Sequence, residues 1–162
     1  MRSVPSVRYP FSPRRTILFG ALAVGTVDIL WAFGWSAVSG HGPIWVFQGV
    51  AGGLLGPATF EGGLPTALLG MFLHYFIATA VVTTYFLASR RLPLLARLPW
   101  VFGPLYGICV YLVMYQMVLP LSAYHTSGIH WNAALAKGVF IHMFGIGLLC
   151  ALFARRGMAH PA

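Results

Sequence analysis

Four long apolar runs, Thr16 to Trp35, Leu64 to Ala88, Trp100 to Leu121 and Ala133 to Ala154, leave this chain few ways to fold. A helix crosses the hydrocarbon core of a bilayer in about 20 largely apolar residues, and each run supplies them. Barrel strands are about half as long and alternate in polarity, a pattern these runs lack. Only 7% of the 162 residues are charged, against the ~25% with which a soluble domain covers its surface. Lipid is the solvent such a surface fits.

A net charge of +8 would point to nucleic acid in a soluble protein, but its distribution gives it another role here. Arg2, Arg8, Arg14 and Arg15 precede the first run, Arg90, Arg91 and Arg97 lie between the second and third, and Arg155 and Arg156 follow the fourth. The other two connections carry no Lys or Arg. Cationic segments stay on the cytoplasmic side during insertion. The expected architecture is therefore an all-α integral membrane protein, a four-helix transmembrane bundle with both termini cytoplasmic. Residues 1–15 are expected to form a cytoplasmic arm without regular structure. The membrane domain spans 16–156, with crossings at 16–35, 64–88, 100–121 and 133–154, and 157–162 form a short tail. The bilayer is the expected partner, along with other membrane subunits or further copies of the chain; the arginines need no nucleic acid.

The basic start, first apolar run and "AVS" near residue 39 have the outline of a secretory leader, and Arg14–Arg15 that of a twin-arginine signal. The run is long enough to span and contains Asp28, so it reads as a retained first helix. The two cysteines, Cys109 and Cys150, fall within spans and provide no framework for disulfides or zinc. Between the first two spans, Ile44 to Leu55 is apolar but too short to cross. Pro43 suits a first helical position and Gly56–Pro57 a stop. A helix is expected there, interfacial or re-entrant, with a pore loop as the sharper alternative.

The second and fourth runs share a motif: "GMFLHYF" at 70–76 and "GVFIHMF" at 138–144. Both runs head from outside to inside and end in an arginine pair, which is the pattern of two helical hairpins repeated in tandem. Intramembrane polar groups are costly and usually face the bundle interior. Those present are Asp28, His74, Tyr111, Gln116, Lys137 and His142. At ~1.5 Å of rise per residue, His74 and His142 lie about 15 and 14 Å below the outer ends of their helices, with Asp28 about 11 Å deep. One polar cluster in the outer half of the bundle is expected. Within it Lys137 is expected to pair with Asp28, the alternative being a lysine that reaches the headgroups and a protonated Asp28.

Three readings compete for the histidines. Each imidazole is hydrogen-bonded to Asp28, Tyr111 or a backbone carbonyl and fixes helix register. Or the pair handles protons or ions, since His titrates near neutral pH. Or His74 and His142 are the axial ligands of a b-type haem. For haem, helices two and four are expected to be diagonal, with axes ~14 Å apart. Gly70 and Gly138, one turn before each histidine, then either open space for the macrocycle or serve close helix packing. Two His and one Asp are an incomplete shell for zinc, so no metal is expected. No serine–histidine–acid set, paired carboxylates or phosphate loop marks an enzyme. A non-enzymatic accessory subunit or small transport unit is the expected class.

Three stretches, "GTVDILWA", "LHYFIATAVVTTYFLASRRLPLL" and "YGICVYLVMYQMVLPLSA", resemble a group of small four-span inner-membrane proteins of bacteria with no assigned activity. The resemblance covers most of the spanning region, Asp28 and His74 included. It implies a bacterial inner membrane and the four-span layout, and brings no catalytic residues with it.

Overall fold

A computed structural model describes residues 11–125 and 133–158, all helix, turn and bend. Most of the expected arm, the connection at 126–132 and the end of the tail lie outside them. Four helices are long and apolar enough to cross a membrane: α1 Pro13–Val38, α3 Gly63–Arg91, α5 Pro99–Leu121 and α6 Ala134–Gly157. Two shorter helices join them, α2 Pro43–Leu55 and α4 Leu94–Arg97. A 3-10 turn over Pro57–Glu61 leads into α3.

α1 begins three residues before the expected boundary because Ser12 caps it. The Ser12 side chain accepts from the Arg15 amide, and Pro13 takes the first turn, where a missing N–H costs nothing. Arg14 and Arg15 are therefore helical.

The chain runs up and down. The start of α1 lies against the end of α6, so close that a Cβ on Gly157 would collide with the Thr16 side chain. Phe86 and Arg90 of α3 share a cleft with Phe11, Pro13, Gly157 and Met158. Arg14, Arg15, Arg90, Arg91, Arg97, Arg155 and Arg156 thus gather at one end of the bundle. The two carboxylates of the chain, Asp28 and Glu61, lie elsewhere.

α6 is the central helix. It packs on α1 and α5 along its length and on α3 in the half beyond Leu148. Helices two and four are thus in contact at the arginine end, where a diagonal arrangement was expected. α3 and α5 instead meet through side chains: the Tyr85 and Tyr106 rings sit edge to face at 4.8 Å, and the Tyr106 hydroxyl donates to the Val81 carbonyl at 2.7 Å. The physical cause lies in the residues at each crossing. α5 meets α6 backbone to backbone, with Gly103 and Gly107 facing Gly147, Leu148 and the His142 carbonyl. Glycines four apart allow that approach, whereas the tyrosines hold α3 away from α5.

The buried core, built on Val24, Val82, Tyr85, Phe86, Ile146, Cys150, Ala151 and Ala154, lies toward the arginine end. The outside is apolar: Phe72, Phe76 and Leu121 are 65%, 62% and 82% exposed. Such a surface is matched by acyl chains, and the helices satisfy their own backbone groups as a lipid environment requires.

α2 lies along the first two turns of α3. A Cβ on Gly70 would collide with the Phe47 carbonyl oxygen, so this glycine sets the closeness of the crossing. The buried Gln48 amide donates to the Gly63 carbonyl at 3.0 Å and to Thr66 Oγ1 at 3.3 Å. From the other side, the Ala123 amide donates to the Gly53 carbonyl at 2.9 Å and the Tyr124 hydroxyl to that of Gly49 at 3.1 Å. Short as it is, α2 is fastened to α3 and to the turn that follows α5 by side-chain and backbone bonds.

Candidate intramembrane site

In the half of the bundle away from the arginines, where α3 and α5 stand apart, lies a cavity of about 260 Å³. Asp28 comes from α1, His74 from α3, Tyr115 from α5 and His142 from α6, while Val50 of α2 closes one wall. The rest of the lining is apolar, with Val24, Ile77, Val81, Val110, Met114 and Ile146 prominent.

Both histidines are held by carbonyls. His74 Nε2 lies 2.8 Å from the Gly25 carbonyl oxygen, and His142 Nδ1 lies 2.8 Å from that of Gly138, one turn back on its own helix. A carbonyl only accepts, so the nitrogen facing it must carry the hydrogen. In the neutral rings this leaves His74 Nδ1 and His142 Nε2 as lone-pair acceptors. Gly25 also gives passage to Tyr75, whose ring would clash with a Cβ there and whose hydroxyl pairs with Thr26 Oγ1 at 3.0 Å.

Two departures from α-helix border the cavity. Met114–Val118 and His142–Gly147 are π-helical, so the Leu119 and Leu148 amides each bond to a carbonyl five residues back, those of Met114 and Met143. In α5 the cause is local. Pro120 offers no N–H to the Gln116 carbonyl and crowds it, so the ladder widens in the preceding turn. In α6 the widened turn carries Gly145 and Gly147 and lies where the α5 backbone presses in. Such single wide turns recur at functional sites.

Of the six polar residues expected to cluster, Asp28, His74 and His142 share the cavity. Tyr111 is buried just behind it, stacked on Tyr115 at 4.3 Å and edge-on to His142 at 5.2 Å. Gln116 is on the exposed side of its π-helical turn. Lys137 does not pair with Asp28: its Nζ sits 3.2 Å from the centroid of the Trp35 ring. Trp35 lies seven residues beyond Asp28 on α1, about 10 Å nearer the end, so a lysine at that level is out of reach of the carboxylate. A cation over an indole face gains about 0.5–2 kcal/mol, which replaces part of the missing ion pair.

Gly70 and Gly138 do not border the cavity. Gly70 receives the α2 backbone, and Gly138 the Tyr111 ring, which a Cβ would meet at 2.7 Å. The space beside each glycine, where room for a macrocycle was expected, is therefore taken by these neighbours. The cavity is also smaller than the ~300–1,000 Å³ of pockets that hold drug-sized ligands. Of the two histidines only His142 offers the usual Nε2 to an iron; that of His74 is bonded to Gly25. Among the described residues no three His, Cys, Asp or Glu side chains converge as metal ligands would.

Tyr115, Val50 and both π-helical turns are additions that sequence reasoning missed. Tyr115 had a signal, since it follows Tyr111 by one helical turn and so shares its face. The Gly103–Gly107 spacing was likewise readable. The π-helical turn in α6 left no mark in composition. No protein-family profile, curated protein or solved structure matches the chain, so its functional reading rests on the geometry of this cavity.

Proposed function

We propose that the chain is a small transport or permeation unit of the bacterial inner membrane, with both termini cytoplasmic, and that its cavity binds and releases a cation. One observation carries the reading: Asp28 lines an apolar cavity with two histidines and no lysine or arginine. A carboxylate at membrane depth without a counter-cation is costly unless it takes up a proton or another cation. His74 and His142 each keep one nitrogen available as a proton acceptor beside it. The seven described arginines at one end support the topology, and the bonds that tie α2 to α3 and to the turn after α5 support a re-entrant rather than interfacial helix. The similarity of the α3 and α6 motifs supports descent from a duplicated hairpin, with the two histidines now turned to different carbonyls.

Proton influx into vesicles tests the reading. Vesicles loaded with a pH-sensitive dye and reconstituted with the protein are expected to acidify faster than protein-free vesicles after an acid jump. The double substitution His74→Gln and His142→Asn keeps an amide N–H where each imidazole donates, at the ε and δ positions respectively, but removes both lone-pair nitrogens. It is expected to fold as the wild type and to slow influx about a hundredfold, the lower end of what a positioned proton carrier contributes. Wild-type vesicles no faster than protein-free ones would overturn the permeation reading and leave an accessory subunit.

A further inference from the structure

Resting on the cation-site reading, we propose that the cavity takes a small organic amine in its ammonium form and exchanges it for the proton of Asp28. The argument begins with hydrogen-bond direction. His74 and His142 each spend their N–H on a backbone carbonyl, so both rings offer acceptors. Asp28 lines the same space, and among the described residues no hydrogen bond or ion pair holds its carboxyl. Once Asp28 has lost its proton, Tyr115 alone among the polar lining residues has a hydrogen to give. A site of acceptors with one anionic charge selects a cationic donor and rejects anions.

The walls then decide what kind of cation. An inorganic ion replaces its hydration shell with several oxygens, six to eight for calcium, and this cavity presents valine, isoleucine and methionine instead. Apolar walls fit an apolar body, with a few polar groups fixing its orientation. At ~30 Å³ per water-sized group, 260 Å³ holds roughly nine non-hydrogen atoms. The ligand class is thus a compact monoamine with a hydrocarbon body, of the size of phenethylamine.

The exchange balances without electron transfer. The O–H bond of the Asp28 carboxyl breaks, its proton leaves to water, and an ammonium N–H···O bond forms in its place. One carboxyl carries either the proton or the ammonium, so the two compete for the same site and amine binding releases the proton. The titratable groups that face the cavity with Asp28 are His74 on α3, Tyr115 on α5 and His142 on α6; α2 contributes Val50 and no charge. Lys137, held over Trp35, does not compete for the carboxylate.

Equilibrium dialysis of the purified full chain with phenethylammonium tests this, with 2-phenylethanol as the uncharged match. Saturable binding of the amine, no competition from the alcohol, and release of about one proton per amine bound in weak buffer are expected. Asp28→Asn removes the charge, and Val50→Phe fills the space from α2; each is expected to weaken binding about tenfold or more, the worth of one charged hydrogen bond. A Val50→Phe variant that is monodisperse and unfolds at the wild-type temperature separates lost binding from lost folding. Wild type that conducts protons but binds no phenethylammonium would overturn this inference and leave the cation-site reading standing. Wild type that does neither would overturn both, and equal binding of amine and alcohol would overturn the role given to charge.

Discussion

Asp28→Asn is expected to bring acid-driven proton influx down to that of protein-free vesicles, the largest functional effect of any single substitution here. Asparagine has nearly the same shape and keeps an acceptor oxygen, but it neither carries a charge nor gives up a proton. Because no hydrogen bond or ion pair holds the Asp28 carboxyl among the described residues, the exchange breaks no visible contact. Removing an unpaired carboxylate from membrane depth also relieves a desolvation cost. The variant should therefore unfold at the wild-type temperature or slightly above it. Vesicle acidification and thermal unfolding in detergent, read side by side, check the two halves of the expectation. Loss of flux together with a large loss of stability would mean that Asp28 has a structural role.

Gly107→Val is expected to have the largest effect on folding. A Cβ at this position would collide with the His142 carbonyl oxygen and meet the Met143 Cα at 2.6 Å. Both are backbone atoms, so no side chain is able to swing aside. α5 and α6 must separate, losing the Gly103–Gly107–Gly147 crossing and moving the π-helical turn that holds His142. Overpacking ordinarily costs about 1–3 kcal/mol, and a backbone collision at a helix crossing belongs at or above the top of that range. The measurable result is a lower unfolding temperature and loss of the monodisperse gel-filtration peak. Gly34→Val supplies the contrast: a Cβ there has nothing within 4 Å, so stability should hardly change.

Different parts of the molecule were legible to different degrees, for physical reasons. The four spans were readable because hydropathy sums along the chain and needs no knowledge of neighbours. The common end for the arginines followed from the alternation of spans. The depth of His74 and His142 followed from helical rise, and the structure does bring both to one cavity with Asp28. What rise cannot give is the angle of a side chain around its helix or the order of helices in the bundle. Lys137 therefore reached Trp35 rather than Asp28, and α6 took the centre where a symmetric square was expected. Gly70 and Gly138 followed the same rule. Their spacing from the histidines was right, but their open faces were taken by α2 and by Tyr111. Side-chain packing also set the cavity. It exists because Tyr85 and Tyr106 prop α3 away from α5 and because Pro120 widens the turn beside Tyr115.

The cavity carboxyl is directly addressable, since the chain contains only two acidic side chains, Asp28 and Glu61. A hydrophobic carbodiimide partitions into lipid and reacts with protonated carboxyls shielded from water. Mass spectrometry of protein labelled in native membranes is expected to find one stable adduct, on the peptide containing Asp28, and protection of that residue by added phenethylammonium. An adduct confined to Glu61, with Asp28 unmodified, would contradict a protonatable carboxyl in a lipid-embedded cavity.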